Sequence, residues 1–506
     1  MTRQEFLKLL TAAPLGAAAV RNPESAIRNP VVPQSPSPPV PTPRFPSGVT
    51  AAVVDFVTRS SIATPDTARA EAKRCLIDGC GVVLAGATVE GSRIVRDYVK
   101  ASSAAGDSTI LGPARLQATA ALAALANAAS GHAMDFDDTQ LSSTPDRVFG
   151  LLTHPTVPVL AASLAIGERL GVSGAAFLDA FLVGFEVECK IAEAINPDHY
   201  QRGFHSTGTI GTIGAAVSAA RLMRLGAAQT SSALGIAASM SSGIRVNFGS
   251  MTKPLHAGRE AENGVTAAEL ASRGFTASDD ALDGEWGFFQ VLGSGADVPR
   301  IVPALGKPFS IVEPGVSFKP YPCGSLGHPT MDAMLKLVTE HDVKPEQVAK
   351  VRVRAGSNIL NPLRYKTAKT ELEAKFCLPF MMTSILLRRR AGIREFTDEF
   401  VSSAPVQAMM PRVETVFDSA IEARGFDKMR SIVEVDLVGG RKLLQPSDER
   451  YRGSPENPFT RADLHAKFSD CASLVLSPAK IARALEAIES VERLANIREL
   501  AAALTA

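Results

Sequence analysis

Paired cysteines, phosphate-binding loops and an excess of charge of either sign are all missing from this 506-residue chain. Its six cysteines (Cys75, Cys80, Cys189, Cys323, Cys377, Cys471) are scattered, without the CxxC spacing that structural zinc needs. A chain this long does not depend on disulfides, so the thiols are expected in the core or at a site. Lys and Arg total 53 against 52 Asp and Glu, a net charge of +1, and no Lys/Arg cluster is interleaved with aromatics. This argues against a nucleic-acid partner, which needs a basic track along the phosphates. GxxxxGK[ST] and HExxH do not occur and no GxGxxG follows a strand, which removes the P-loop, zincin and dinucleotide readings.

With 45% hydrophobic and 21% charged residues the chain can bury more than one core, because single cores rarely grow past ~250 to 300 residues. Two domains are expected. The first 20 residues, MTRQEFLKLLTAAPLGAAAV, have a basic start (Arg3, Lys8) and then a small-residue apolar stretch, the layout of an export signal. The stretch is too short to span a bilayer. RQEFLK resembles a twin-arginine signal with glutamine in place of the second arginine. The expectation is export to the periplasm, and a cytoplasmic location if the signal does not function; the alternative reading is a disordered tail. This segment covers residues 1–27, and the proline-rich RNPVVPQSPSPPVPTPRFPS, residues 28–47, reads as an extended linker.

From residue 48 to 314 the sequence is a succession of alanine-rich helices ending at glycines, such as ALAALANAASGHAMD and GAAVSAARLMRLG. After Pro314, QVAKVRVRAGS and RSIVEVDLVGGRKL alternate apolar and polar residues at period two, as half-buried strands do. Residues 315–454 are therefore expected as an α/β domain. SPAKIARALEAIESVERLANIRELAAAL returns to helical spacing, so 455–506 should complete the helical domain around an inserted α/β piece. The fold class predicted is mainly α with an α+β second domain.

GHAMDFDDT places Asp135, Asp137 and Asp138 within four positions behind an apolar run. Like charges this close raise one another's pKa, so partners or a ligand are expected. Helical spacing would put Asp135 and Thr139 on one face, with His132 three residues earlier and Asp137 turned away as a solvated residue. The bland alternative is a solvated helix end. His154 in LLTHPTVPVL, His205 in RGFHSTGTIGTIGAA and His256 in TKPLHAG stand in unusual contexts, although any one histidine alone reads as structural. GFHSTGTIGTIGAA looks like a helix mouth that favours an anion. Lys253 lies three residues before His256, and FKPYPCGSLGHPT adds Lys319, Tyr321, Cys323 and His328. Cationic donors with at least one acid and no phosphate loop point to a small ligand carrying carboxylates.

HAMDFDDT, THPTVPVLAA, GFHSTGTIGTIGAA, TKPLHAG, FKPYP and ELEAKF, in this order, resemble the MmgE/PrpD family. That family includes 2-methylcitrate dehydratase, cis-aconitate decarboxylase and iminodisuccinate epimerase. The resemblance runs from about Gly48 to the end. It implies a homodimer, a large all-helical domain with a smaller α/β lid, a site between them, and chemistry on a small polycarboxylate with no metal or organic cofactor. It also implies site roles for Asp135, Thr139, His154, His205, Lys253 and Lys319, and for Tyr365, whose spacing before ELEAKF differs. One departure stands out: cis-aconitate decarboxylases carry a lid histidine five residues after the lysine matched by Lys319, and here that position is Gly324. A proton donor or charge partner is thereby missing.

On this reading Lys253 and Lys319, with His256 beside them and Tyr365 on the lid, hold substrate carboxylates. His154 and Asp135 exchange protons with the substrate, His205 assists, and Thr139 is a neutral donor. Cys323 is either an acid whose thiol a nearby lysine lowers or a core thiol. A lyase, an epimerase that returns the proton to the other face, and a carboxylate-binding protein remain open.

Overall fold

The computed structural model describes residues 48–102, 106–141 and 153–506. The export-like segment 1–27 and the proline-rich stretch 28–47 lie outside the described residues.

The amino-terminal part is a stack of helices: α1 (Val49–Thr58), α2 (Asp66–Gly86) and α3 (Glu90–Ser102), a short antiparallel hairpin of β1 (Ser108–Ile110) and β2 (Leu116–Ala118), then α4 (Ala120–Ala133), α5 (Thr156–Leu170), α6 (Gly174–Ile195), α7 (Ser206–Leu222), α8 (Ala227–Met240) and α9 (Thr252–Ser272). Alanine and glycine dominate where these helices meet, because a small side chain lets two backbones approach within ridge-and-groove distance. Helix α7 is buried almost throughout and packs against α5, α6, α8 and α9. Helix α9 is wedged between α7 and α4: a Cβ on Gly264 would stand 2.6 Å from the backbone nitrogen of Ala216, and one on Gly258 2.7 Å from the carbonyl of Leu125. The glycines of GTIGTIG serve the same end. Gly211 and Gly214 make room for the carboxyl groups of Glu260 and Glu188, so they are packing positions inside the helix and not an anion nest at its mouth.

The second core belongs to α10 (His328–Glu340), β3 (Val348–Ala355), α11 (Leu378–Arg388), β4 (Val413–Phe417), β5 (Ser431–Leu437) and β6 (Lys442–Pro446). The sheet order is β4-β3-β5-β6, with β3 and β4 parallel and the other pairs antiparallel. Strands β3 and β5 carry the alternation read in the sequence, burying Val351, Val353 and Ala355 against Val433 and Val435. Both edge strands, and the β1–β2 hairpin, escaped the sequence reading. On β4 and β6 half or more of the side chains are partly or fully exposed, so the apolar alternation that marks a strand is diluted.

The chain crosses between the cores twice, side by side. Val316 and Phe318 pack in the first core and Tyr321 in the second; on the return, Tyr451 is in the second and Phe459 in the first. The Phe318 amide donates to the Gly453 carbonyl at 2.9 Å, and Thr139 and Ser317 exchange backbone hydrogen bonds at 2.9 and 2.8 Å. Helix α12 (Arg461–Ala472) then packs on α2, followed by α13 (Pro478–Glu489). Among the described residues no single helix is long and apolar enough to cross a membrane.

Gly264→Ala tests the close approach of α9 and α7. Backbone on the far side cannot yield as a flexible side chain would, so the variant should lose about 1 to 3 kcal/mol of stability, read as a lower melting temperature by calorimetry.

Candidate active site

Helix α4 ends at Ala133, so the helical face rule applied to Asp135, Asp137 and Thr139 fails. Asp135 adopts a left-handed conformation, φ 50°, which aspartate tolerates better than most residues. This turns the chain out of the helix and buries all three aspartates. Asp137 is not a solvated residue: it is fully buried, with Oδ2 2.8 Å from His132 Nδ1 and 3.6 Å from His154 Nδ1.

Asp135 gathers the lysines. Its Oδ1 accepts from Lys253 Nζ at 2.7 Å and from Lys319 Nζ at 2.9 Å, and its carbonyl accepts from Lys319 at 3.0 Å. Burial alone would raise its pKa, but the two ammonium groups outweigh that and hold it well below the carboxylate range. A carboxylate held so low stays ionised and anchors both ammonium groups. Lys253 also donates to His132 Nε2 at 2.9 Å. An ammonium group has three donors, so each lysine keeps one N–H for a ligand.

Three more residues line the same cleft. His154 Nδ1 donates to the Asp138 carbonyl at 2.7 Å, which fixes the tautomer and leaves Nε2 as a lone pair. Burial and the field of Lys319 push its pKa well below the usual value, so the ring is neutral. His205, the residue preceding α7, shares a hydrogen bond with His256 through their Nδ1 atoms at 3.0 Å, and its Nε2 is without a partner among the described residues. Thr139 Oγ1 already donates to the Thr153 carbonyl at 3.1 Å, so it presents lone pairs in place of the expected donor.

Asp135, Thr139, His154, His205, Lys253 and Lys319 thus line one cleft. The sequence reading missed Tyr200 and the facing apolar wall of Phe248, Leu326, Pro362, Leu363 and Phe376. Aromatic and aliphatic residues carry no mark that separates a pocket wall from core, and only the fold reveals them.

Three expected residues stand back. His256 lies behind His205. Tyr365 packs its hydroxyl end against Gly249, next to the wall residue Phe248. Cys323 is fully buried, 3.4 Å from His328 Nε2; burial, with Asp135 nearby, pushes its thiol well above the ordinary value despite Lys319, so it is a core thiol. Gly324 does reach the wall, and a Cβ there would meet Leu363 Cδ2 at 2.8 Å, so an apolar side chain fills that space.

Two groups have ligand atoms within 4.8 Å of one another, His132 with His154 and His205, and His132 with Asp135 and Asp137. Both share His132, whose two nitrogens are engaged by Asp137 and Lys253. A divalent cation would stand beside an ammonium group, so the arrangement suits an anion better than a metal.

The chain matches the family models described as the MmgE/PrpD N-terminal domain, over residues 51–301, and the MmgE/PrpD C-terminal domain, over 321–493. It is 28% identical to cis-aconitate decarboxylase of Homo sapiens over 83% of this chain and 87% of that one. The Mus musculus cis-aconitate decarboxylase is 26% identical over 83% and 86%. A cis-aconitate decarboxylase-like protein of Aspergillus oryzae is 24% identical over 90% and 97%.

Asp138 supplies a pH test. Burial, with Asp78 beside it, pushes its carboxyl up to about 8, and Thr156 Oγ1 donates to Oδ2 at 2.5 Å. The folded state therefore holds a proton that the unfolded chain releases near pH 4, so this group's contribution to stability falls as pH rises from about 4 to about 8. Asp138→Asn removes the titration and keeps an acceptor for Thr156. Its stability-versus-pH curve between pH 5 and 7 should be flatter than wild type by up to about 1.4 kcal/mol per pH unit, measured by denaturant unfolding.

Proposed function

The chain belongs to the MmgE/PrpD family and is a lyase, and from that premise we propose that it eliminates water or CO2 from a small di- or tricarboxylate whose carboxylates Lys253 and Lys319 hold. The observation that carries this reading is the pair of lysines anchored on one aspartate, each with one N–H left for a ligand, in the same cleft as the His154 lone pair.

The resting protonation states suit elimination. His154 is neutral with Nε2 unprotonated, ready to take a proton from the carbon next to a carboxylate. Burial lowers the pKa of Lys253, with Lys319 adding to it and Asp135 opposing, which brings its ammonium closer to the working range of an acid for a leaving hydroxyl. Negative charge that builds on the substrate then lies against two cations fixed in advance, while the apolar wall of Phe248, Leu363 and Phe376 keeps the local dielectric low. A carboxylate substrate offsets the repulsion of His154 by the lysines and so raises its basicity on binding.

Loss of CO2 is the second reading. Cis-aconitate decarboxylases are among the relatives, and the apolar wall offers a carboxylate little solvation, so departure as neutral CO2 relieves its burial. This path needs only a proton returned to carbon, which the Lys253 ammonium group would supply. Gly324 counts against it as far as a titratable lid group is needed.

Purified protein with citrate, 2-methylcitrate, cis-aconitate and iminodisuccinate in D2O, followed by proton NMR, tests the proposal. A new double bond supports dehydration and loss of CO2 supports decarboxylation. Deuterium at a retained carbon without elimination would mean an epimerase, and no change in any substrate would sink the enzymatic reading for this class. Lys253→Ala and Lys319→Ala should each weaken carboxylate binding at least tenfold, since a charged hydrogen bond is worth roughly 1.5 to 3 kcal/mol. Titration calorimetry with tricarballylate reads this directly, and unchanged affinity in both would remove them from the site.

A further inference from the structure

We propose that Asp137 and His132 form a positioning dyad that fixes the His132 tautomer and thereby holds the Lys253 ammonium group at the substrate position. The inference rests on the reading of Lys253 as a carboxylate-binding group.

The geometry leaves one consistent assignment of protons. Asp137 Oδ2, 2.8 Å from His132 Nδ1, accepts, so Nδ1 carries the hydrogen. Lys253 Nζ, 2.9 Å from His132 Nε2, is a donor only, so Nε2 carries a lone pair. The ring is then neutral, in keeping with its burial and the nearby lysine, which lower its pKa. Asp137 stays ionised: burial would raise its pKa, but the hydrogen bond that His132 Nδ1 donates, with the charge of Lys319 adding to it, holds it below the carboxylate range.

With the opposite tautomer, an N–H at Nε2 would point at the ammonium group and cost Lys253 one of its two fixed partners. The other is Asp135 Oδ1, which it shares with Lys319. A lysine side chain has four rotatable bonds, and one shared acceptor leaves it free to swing about that contact. A second acceptor, on the rigid end of α4, fixes the head and aims the third N–H. Neither His132 nor Asp137 lines the cleft, so their effect on the reaction runs through Lys253. His132 packs with its ring 5.5 Å from that of His205 and 4.7 Å from that of His154, which restrains its orientation from both sides.

The charged and titratable groups around Lys253 are Asp135, Asp137, Lys319 and the rings of His132, His154, His205 and His256. Asp137→Asn removes one of the two anions that support its charge. It also puts an amide where the carboxylate was, which no longer selects the hydrogen at Nδ1.

Nitrogen-15 NMR of histidine-labelled wild type, with His132 assigned through His132→Gln, measures the tautomer without any substrate. Protonated Nδ1 with unprotonated Nε2 is expected; the reverse tautomer or an imidazolium overturns the proposal. The second measurement is tricarballylate affinity of Asp137→Asn between pH 6 and 9. The variant should bind at least tenfold more weakly at pH 7.5 and lose affinity at lower pH than wild type. Lower thermal stability with wild-type affinity and an unmoved pH limb would make the dyad merely structural and reject it. Should wild type itself not bind tricarballylate, the reading of Lys253 as a carboxylate group falls, and the tautomer measurement alone then decides the dyad.

Discussion

Residues 133–138 leave helix α4 with unpaired carbonyls and three carboxyl groups, all buried, and lysines from elsewhere in the chain bring positive charge to them. Lys375 donates to the Ala133 carbonyl at 3.0 Å, Lys319 to the Asp135 carbonyl at 3.0 Å and Lys467 to the Phe136 carbonyl at 2.7 Å. The end of a helix presents unpaired carbonyls and the negative pole of its dipole, so cations are favoured there. These lysines come from three distant parts of the chain. Lys319 sits on the first crossing, Lys375 in the second core's ELEAKF segment and Lys467 on the returning helix α12, where it also pairs with Asp78 at 2.6 Å. The second core is thus fastened to the first at the element that builds the site.

Burial of so many ions is costly unless each is fully paired, and an ion pair of this kind adds little net stability over a well-packed apolar pair. Its value lies in geometry. Lys253 and Lys319 repel each other, and the single oxygen Oδ1 of Asp135 holds both within hydrogen-bond distance. A substrate carboxylate arriving at their free N–H groups finds two cations already desolvated and aimed, and the reorganisation that water would require has been met in folding.

The mainly helical fold class, the helical domain and the two central strands of the second core were legible because periodicity and alanine content report local structure and burial. The lysines and histidines were legible as types in unusual contexts. What could not be read is the turn. A left-handed residue at Asp135 shifts the direction of every side chain after it, so a helical wheel carried past Ala133 exposes Asp137, whereas the structure buries it against His132. Lys375 and Lys467 were passed over for a related reason: in sequence they look like ordinary charged residues of amphipathic segments, and only the fold brings them to the carbonyls of Ala133 and Phe136. Cys323 stayed open between an acid and a core thiol because proximity to a lysine in sequence says nothing about burial, and burial dominates its thiol.

The acids that lie behind the site complete its charge balance. Asp138, Glu188 and Glu260 are all buried, and burial pushes each pKa up, for Asp138 to about 8 and for the glutamates well above the ordinary value. Glu188 accepts from Thr153 Oγ1 at 3.0 Å, and Asp138 stands over Thr156, the first residue of α5. Were these groups ionised, three further negative charges would lie behind Asp135 and Asp137, drawing on the field of Lys253 and Lys319 and competing with a substrate anion. Kept protonated by the apolar packing of α5, α6, α7 and α9, they leave two carboxylates facing two ammonium groups. The tight helix packing that the glycines of α7 permit therefore also governs the electrostatics: it holds the rear acids neutral, so that the positive charge of the lysines remains available at the cleft.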